Sequence, residues 1–157
     1  MLLHKYSTNL ILMHEDLEKA WGSKLPHASD KGYPAIFDEM VFWVLSCGNE
    51  TIAYTGSLLS PNRRYVLVGN TYVHKEWRSK GLHSHLLNER NNAHHLKNIP
   101  KITILNPIEQ SKMVHLIKVV SNLGYINVPN YNAVSDIMTL DEYNNIYLDH
   151  QQIWRLN

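Results

Sequence analysis

The sequence predicts one α/β domain over residues 1–157, built on a mixed, mostly antiparallel central sheet flanked by helices. Three observations lead there. Three extended segments follow one another between Val41 and Val73 with only turns between them. Helical and extended segments then alternate, and set after three consecutive antiparallel strands they make a mixed α/β sheet and not a doubly wound one. No internal repeat, low-complexity tract or Pro/Gly-rich linker divides the 157 residues, and a chain of this size buries roughly 70% of its unfolded surface as one core.

Taken in order, Leu2 to Tyr6 reads as a short strand. Leu10, Met13, Leu17, Ala20 and Trp21 then recur at helical spacing, with Ser7 or Thr8 as the cap and Gly22 as the stop. Residues 23–34 are irregular, and "AIFDEM" (Ala35–Met40) is a short apolar turn. Val41 to Ser46 is a continuous apolar run, Cys47 to Glu50 a turn, and Thr51 to Leu59 a second strand, which together make a β-hairpin. After a turn at Ser60 to Arg64, Tyr65 to Val73 is a third strand. Leu82, Leu86, Ala93 and Leu96 form a helical stripe, with Glu89 its odd polar member.

"KITIL" (Lys101–Leu105) has the texture of a buried parallel strand. Asn106-Pro107-Ile108-Glu109 reads as a helix start, with a capping asparagine, proline at the first position and a glutamate where a capping box places it. Met113, Leu116, Ile117, Val120 and Leu123 make that helix's inner face, and Gly124 ends it. Strands are expected at Tyr125 to Val128 and Ala133 to Leu140. A last amphipathic helix from Asp141 uses Tyr143, Ile146, Tyr147, His150 and Trp154, with Thr139 and Glu142 as its capping pair.

Composition narrows the function. Net charge is +1, so attraction for an anion has to be local, made by a few placed residues. The single cysteine, Cys47, makes no internal disulfide and suits a reducing compartment. Its turn supplies neither the base nor the cation that a reactive thiolate needs. The amino terminus carries only a four-residue apolar run, Leu10 to Met13, before its carboxylates, which is neither a signal peptide nor a membrane span. A cytoplasmic location without membrane association follows, and the Asn49-Glu50-Thr51 sequon has no role there.

The densest chemistry lies in "VHKEWRSKGLH", Val73 to His83, where a strand turns into a helix. A helix start presents unpaired N–H groups and the positive end of the helix dipole. Arg78, Ser79 and Lys80 precede it, and Gly81 removes the Cβ that would keep a ligand at a distance. The result is a phosphate-sized cradle. It is neither a Walker loop, which needs G-x-x-x-x-G-K-[ST], nor a dinucleotide G-x-G-x-x-G turn.

This stretch resembles motif A of the GCN5-related N-acetyltransferases (GNAT): a valine-ended strand, a basic loop and [QR]-x-x-G-x-[GA]. The resemblance extends to the order of elements from Val41 to about Leu140. Asn106 directly after "KITIL" and "NLGY" (Asn122–Tyr125) agree with it. It implies a strand splay for an acyl-CoA and a transferase using acetyl-CoA, or another acyl-CoA, as co-substrate. By that resemblance the pyrophosphate sits on the N–H groups of Ser79, Lys80, Gly81, Leu82, His83 and Ser84, with Arg78 and Lys80 nearby. The pantetheine arm lies along Tyr72 and Val73 in the splay beside "KITIL", Asn106 reaches its amides, and an N–H near Val73 polarises the thioester carbonyl. The acceptor is a small-molecule or peptide amine, chosen by the amino-terminal helices, the hairpin and the loop near Pro129 to Asn132.

Two departures from the pattern follow. His83 stands where the motif has a small residue. Val120 and Leu67 stand where members of the family carry a tyrosine acid or a glutamate base, and neither can move a proton. Candidates for proton transfer are Glu39 and its neighbour Asp38, His74, and Tyr125 or Tyr131; Tyr125 also suits the family's core phenylalanine position.

No metal is expected. Among the ten histidines, His83 and His85 point to different helix faces, His94 and His95 are adjacent, and no H-E-x-x-H is present. Two alternatives stay open. One is a CoA-binding member of the fold without catalysis. The other is a nucleic-acid module using Arg63, Arg64, Lys75, Arg78, Lys80 and Arg90, against which the near-zero net charge argues. The aromatic carboxyl-terminal helix could cover the sheet or pair with a second chain as a homodimer.

Overall fold

The computed structural model describes residues 2–7, 41–48, 50–105, 110–146 and 151–157. Among the described residues, seven strands form one sheet: β1 (Leu2–Ser7), β2 (Val41–Cys47), β3 (Glu50–Leu59), β4 (Val66–Val73), β5 (Lys101–Leu105), β6 (Ile126–Val128) and β7 (Gln152–Leu156), in the order β1-β2-β3-β4-β5-β7-β6. Pairing is antiparallel for β1 with β2, β2 with β3, β5 with β7 and β6 with β7, and parallel for β4 with β5. Three α-helices accompany it among the described residues: α1 (Leu82–Asn91), α2 (Gln110–Asn122) and α3 (Leu140–Ile146). The mixed, mostly antiparallel sheet is therefore as expected from sequence.

The chain resolves into two compact units, each assembled from segments far apart in sequence. One gathers Met1–Leu58 with Asn70–Arg90, the other Leu59–Gly69 with Asn91–Asn157. In the first unit, Phe42, Trp43, Val44 and Leu45 are buried in succession, which is why β2 reads as a continuous apolar run and not as an alternation. A register shift between Leu45 and Ser46 marks a bulge just before the Cys47 turn. α1 packs through Leu82 and Leu86 onto Leu45, Ile52, Ala53 and Val73, with Trp77 against the same cluster.

In the second unit, β4 pairs with β5 over Val66↔Lys101, Leu67↔Ile102 and Val68↔Thr103, while β4 as a strand runs on to Val73. α2 stops as Gly124 predicts. Gly124 has φ +94°, its N–H donates to the Ser121 carbonyl, and Tyr125 N–H donates to the Val120 carbonyl. That is a Schellman motif, which satisfies carbonyls the helix end would leave bare. The Thr139–Glu142 capping pair also forms. Thr139 N–H donates to Glu142 Oε1 (3.0 Å) and Glu142 N–H to Thr139 Oγ1 (3.1 Å) at the start of α3. Glu142 Oε2 in addition accepts from the Tyr65 hydroxyl at 2.5 Å.

Three sequence expectations are corrected. Ala133 to Leu140 is not a strand. A 3₁₀ turn covers Tyr131–Ala133, and the Val134 carbonyl then accepts from Ile137 and Met138 N–H (3.0 and 3.1 Å). Buried Val134, Ile137 and Met138 are spaced three and four apart, a turn-like spacing and not the alternation of a strand. Trp154 lies not on the last helix but on β7, paired with Thr103 of β5 and Asn127 of β6. α1 likewise ends at Asn91, and Leu96 of the expected stripe is buried in a separate 3₁₀ turn, His94–Leu96. The expected helix from Leu10 to Trp21, the "AIFDEM" turn, the Asn106–Glu109 helix start, Tyr147 and His150 lie outside the described residues.

Candidate functional site

The β4-to-α1 junction lies wholly within the first unit. β4 ends at Val73, and His74 continues in extended conformation (φ −55°, ψ 139°). Its backbone is held from both sides. His74 N–H donates to the Ile52 carbonyl (2.7 Å), and the His74 carbonyl accepts from Trp77 N–H (2.8 Å), closing a 3₁₀ turn over Lys75–Trp77. The imidazole Nδ1 is buried and has no hydrogen-bond partner among the described residues. Such an atom costs free energy on the order of 1–3 kcal/mol, so its presence beside a candidate site is notable.

After Arg78 the backbone enters the left-handed region at Ser79 (φ +61°) and again at Gly81 (φ +77°), with Lys80 between them. Alternation of this kind is the backbone pattern of the nests in which successive N–H groups bind an anion. α1 then begins, its first helical bond running from His85 N–H to the Gly81 carbonyl (3.1 Å). Among the described residues, no protein group accepts from the N–H of Ser79, Lys80, Gly81, Leu82 or Ser84. Among the described residues, a Cβ built on Gly81 meets no heavy atom within 4 Å, so they leave the space beside it open. Ser79, Lys80, Gly81 and Ser84 are exposed, whereas Leu82 is buried and roots the helix start in the core.

The side chains around this nest are placed by aromatic rings. Arg78 turns back on the strand. Its Nε donates to the Val73 carbonyl (3.0 Å) and its guanidinium lies 5.8 Å from the centre of the Tyr72 ring. Tyr72 in turn packs on Tyr54 (5.5 Å), and Tyr54 on Phe42 (6.1 Å). Lys80 Nζ lies 5.6 Å from the Trp77 ring centre. Two cations thus flank the nest, each steadied by a ring.

The structure brings Tyr72, Val73, His74, Arg78, Ser79, Lys80, Gly81, Leu82, His83 and Ser84 together in one unit, and His83 is half-buried on the first turn of α1. Tyr125 belongs to the second unit and is 4% exposed. Asn106, Asp38 and Glu39 lie outside the described residues. Arg90 does not belong to a surface basic patch: it is 3% exposed, and its Nη1 donates to Thr55 Oγ1 at 2.7 Å. Thr55 Oγ1 lies 2.7 Å from Thr71 Oγ1 on β4. Sequence reading missed this chain because its members are distant in sequence, and nothing local marks a strand threonine as the partner of a helix arginine. Among the described residues, no three histidine, cysteine or acidic side chains gather as a metal site, and no helix is long and apolar enough to cross a membrane.

No family model and no curated protein matches the sequence. Solved structures do match the fold. An acetyltransferase of the GNAT family from Staphylococcus aureus Mu50 superposes with a TM-score of 0.65 at 14% identity, covering 99% of both chains. An acyl-CoA N-acyltransferase from Pseudomonas aeruginosa gives 0.61 at 16% identity over 99% of both. The diaminobutyrate acetyltransferase EctA from Paenibacillus lautus, solved with L-2,4-diaminobutyric acid and coenzyme A, gives 0.59 at 10% identity, over 98% of this chain and 93% of its own. With its mixed seven-stranded sheet and the turn at Gly81, the chain has the fold of the GNAT acetyltransferases.

Proposed function

We propose that the protein is a GNAT-family, acyl-CoA-dependent N-acyltransferase, a single-domain cytoplasmic enzyme that passes an acetyl group from acetyl-CoA to a primary amine by direct attack in a ternary complex. One observation carries this reading: among the described residues, no protein group accepts from the N–H groups of Ser79, Lys80, Gly81, Leu82 and Ser84, and no atom stands where a Cβ of residue 81 would be. A diphosphate fits such a set of donors, because each N–H makes a charge-assisted bond and the helix dipole adds to it. Arg78 and Lys80 supply compensating charge from either side of Ser79.

The coenzyme brings an acyl group activated as a thioester. The chain's own part is to hold and orient it. Ser79 through Ser84 grip the diphosphate end, and Tyr72 and Val73 offer the strand end to the pantetheine arm. Orientation of this kind supplies much of the rate, since a neutral amine is already a competent nucleophile. Val120 and Leu67 leave proton transfer to another group. His74 is our choice, because it follows Val73 directly and its backbone is fixed at both ends, whereas Tyr125 is buried. A small-molecule amine acceptor is supported by the diaminobutyrate-bound neighbour.

Calorimetric titration with acetyl-CoA tests the reading, followed by a mass-shift screen of amines. Micromolar binding abolished by R78A/G81W supports it. No heat and no thermal shift at millimolar acetyl-CoA refute it, and salt-sensitive binding of DNA or RNA in their place selects the nucleic-acid reading. Buried Val120 at the place of the usual acid favours a second reading, a coenzyme-binding protein without catalysis. Tight acetyl-CoA binding with no product from any amine selects it.

A further inference from the structure

We infer that Arg90 is a positioning residue for donor binding: through Thr55 and Thr71 it locks α1 to β3 and β4, so that the α1 start and the Val73 end of β4 are held as one piece. The inference rests on the donor site proposed above. α1 is fastened at two places of opposite character. Near its start, Leu82 and Leu86 sit in the apolar cluster with Leu45, Ile52, Ala53 and Val73. Apolar packing is non-directional, so this contact alone leaves the helix free to slide or tilt by small amounts.

Near its other end, Arg90 is buried to 3% exposure and its Nη1 donates to Thr55 Oγ1 at 2.7 Å. Thr55 is itself fully buried, and its hydroxyl bonds to Thr71 Oγ1 at 2.7 Å. Thr71 stands on β4 one residue before Tyr72 and two before Val73. A buried, charge-assisted chain has a narrow range of tolerated lengths and angles, and it therefore fixes the register of the helix on both strands. The diphosphate donors and the strand end that takes the acyl arm lie at the two ends of one rigid path. A shift of about 1 Å at such a site costs on the order of a hundredfold in rate.

Thr55→Val and Thr55→Ser separate positioning from general stability. Valine keeps the volume of threonine and removes the oxygen, whereas serine keeps the oxygen. Each variant is titrated with acetyl-CoA by calorimetry well below its own melting temperature, beside the wild-type chain. Thr55→Val is expected to bind about tenfold more weakly, while Thr55→Ser stays within about threefold of wild type. A Thr55→Val protein that melts earlier but binds as wild type does overturns the inference and leaves the donor site standing. Equal weakening in both variants also overturns it, because the hydroxyl would then not be the determinant. A wild-type chain that binds no acetyl-CoA removes the donor site and this inference together.

Discussion

Gly81→Val is the substitution whose two effects separate most clearly. At φ +77° an L-residue is strained, by about 1–2 kcal/mol, and a β-branched one is no better placed. Because a Cβ at this position meets no heavy atom of the described residues within 4 Å, they add no clash to that strain. The variant should therefore fold, with a melting temperature lowered by about 2–8 °C for a chain of this size. Binding should suffer far more. The valine methyl groups would stand where the diphosphate approaches the Ser79-to-Ser84 donors. Losing two charge-assisted hydrogen bonds at about 1.5–3 kcal/mol each removes at least roughly 3 kcal/mol, or about a hundredfold in Kd. Scanning calorimetry gives the first quantity and isothermal titration with acetyl-CoA the second. A variant whose melting temperature falls in this window while its Kd stays within about threefold of wild type would show that the donor is held elsewhere.

His74→Asn should lower kcat by about a hundredfold or more while leaving the acetyl-CoA Kd near wild type, and added imidazole should restore part of the loss; unchanged kcat would pass the proton to another group. Glu142 is held below its ordinary carboxylate range, first by the Tyr65 hydroxyl and then by Thr139 N–H, so its contribution to stability is complete above about pH 4.5 and is lost as the pH falls below that. The Tyr65 hydroxyl is pushed up, first by burial and then by its bond to Glu142 and that charge, so its contribution is complete below about pH 10 and is lost at still higher pH. Glu142→Gln should therefore flatten the acid limb of a urea-midpoint-against-pH curve, and an unchanged limb would exclude this group as its source. Gly124→Ala should destabilise by about 1–2 kcal/mol in urea unfolding, since φ is +94° and the new Cβ lies 3.3 Å from Leu156 Cδ1; a neutral result would mean that the α2 end relaxes freely.

What could be read from the sequence was mostly local. The Schellman end at Gly124, the Thr139–Glu142 box and the turn at Gly81 each depend on a few consecutive residues whose backbone preferences act over one turn. The hairpin and the third strand were legible for a related reason: adjacent strands need only a short turn to pair. Trp154 went the other way. In isolation it completes a helical stripe with Tyr143 and Ile146, but strand pairing with both β5 and β6 satisfies the backbone of its segment, and no local pattern announces those partners. Val134, Ile137 and Met138 fell in the expected Ala133–Leu140 strand, yet their burial comes with a turn closed on the Val134 carbonyl.

The same division runs through the candidate site. Arg78, Ser79, Lys80 and Gly81 were visible as a motif because the cradle is built from consecutive N–H groups. Where their side chains go was decided by tertiary contacts: Arg78 onto Tyr72 and the Val73 carbonyl, and Lys80 onto Trp77. Arg90 shows the difference most plainly. As a letter it was one more cation for a surface patch. In the fold it is buried and bonded to Thr55 of β3, a contact that offsets part of the cost of desolvating a guanidinium that only packing could bury.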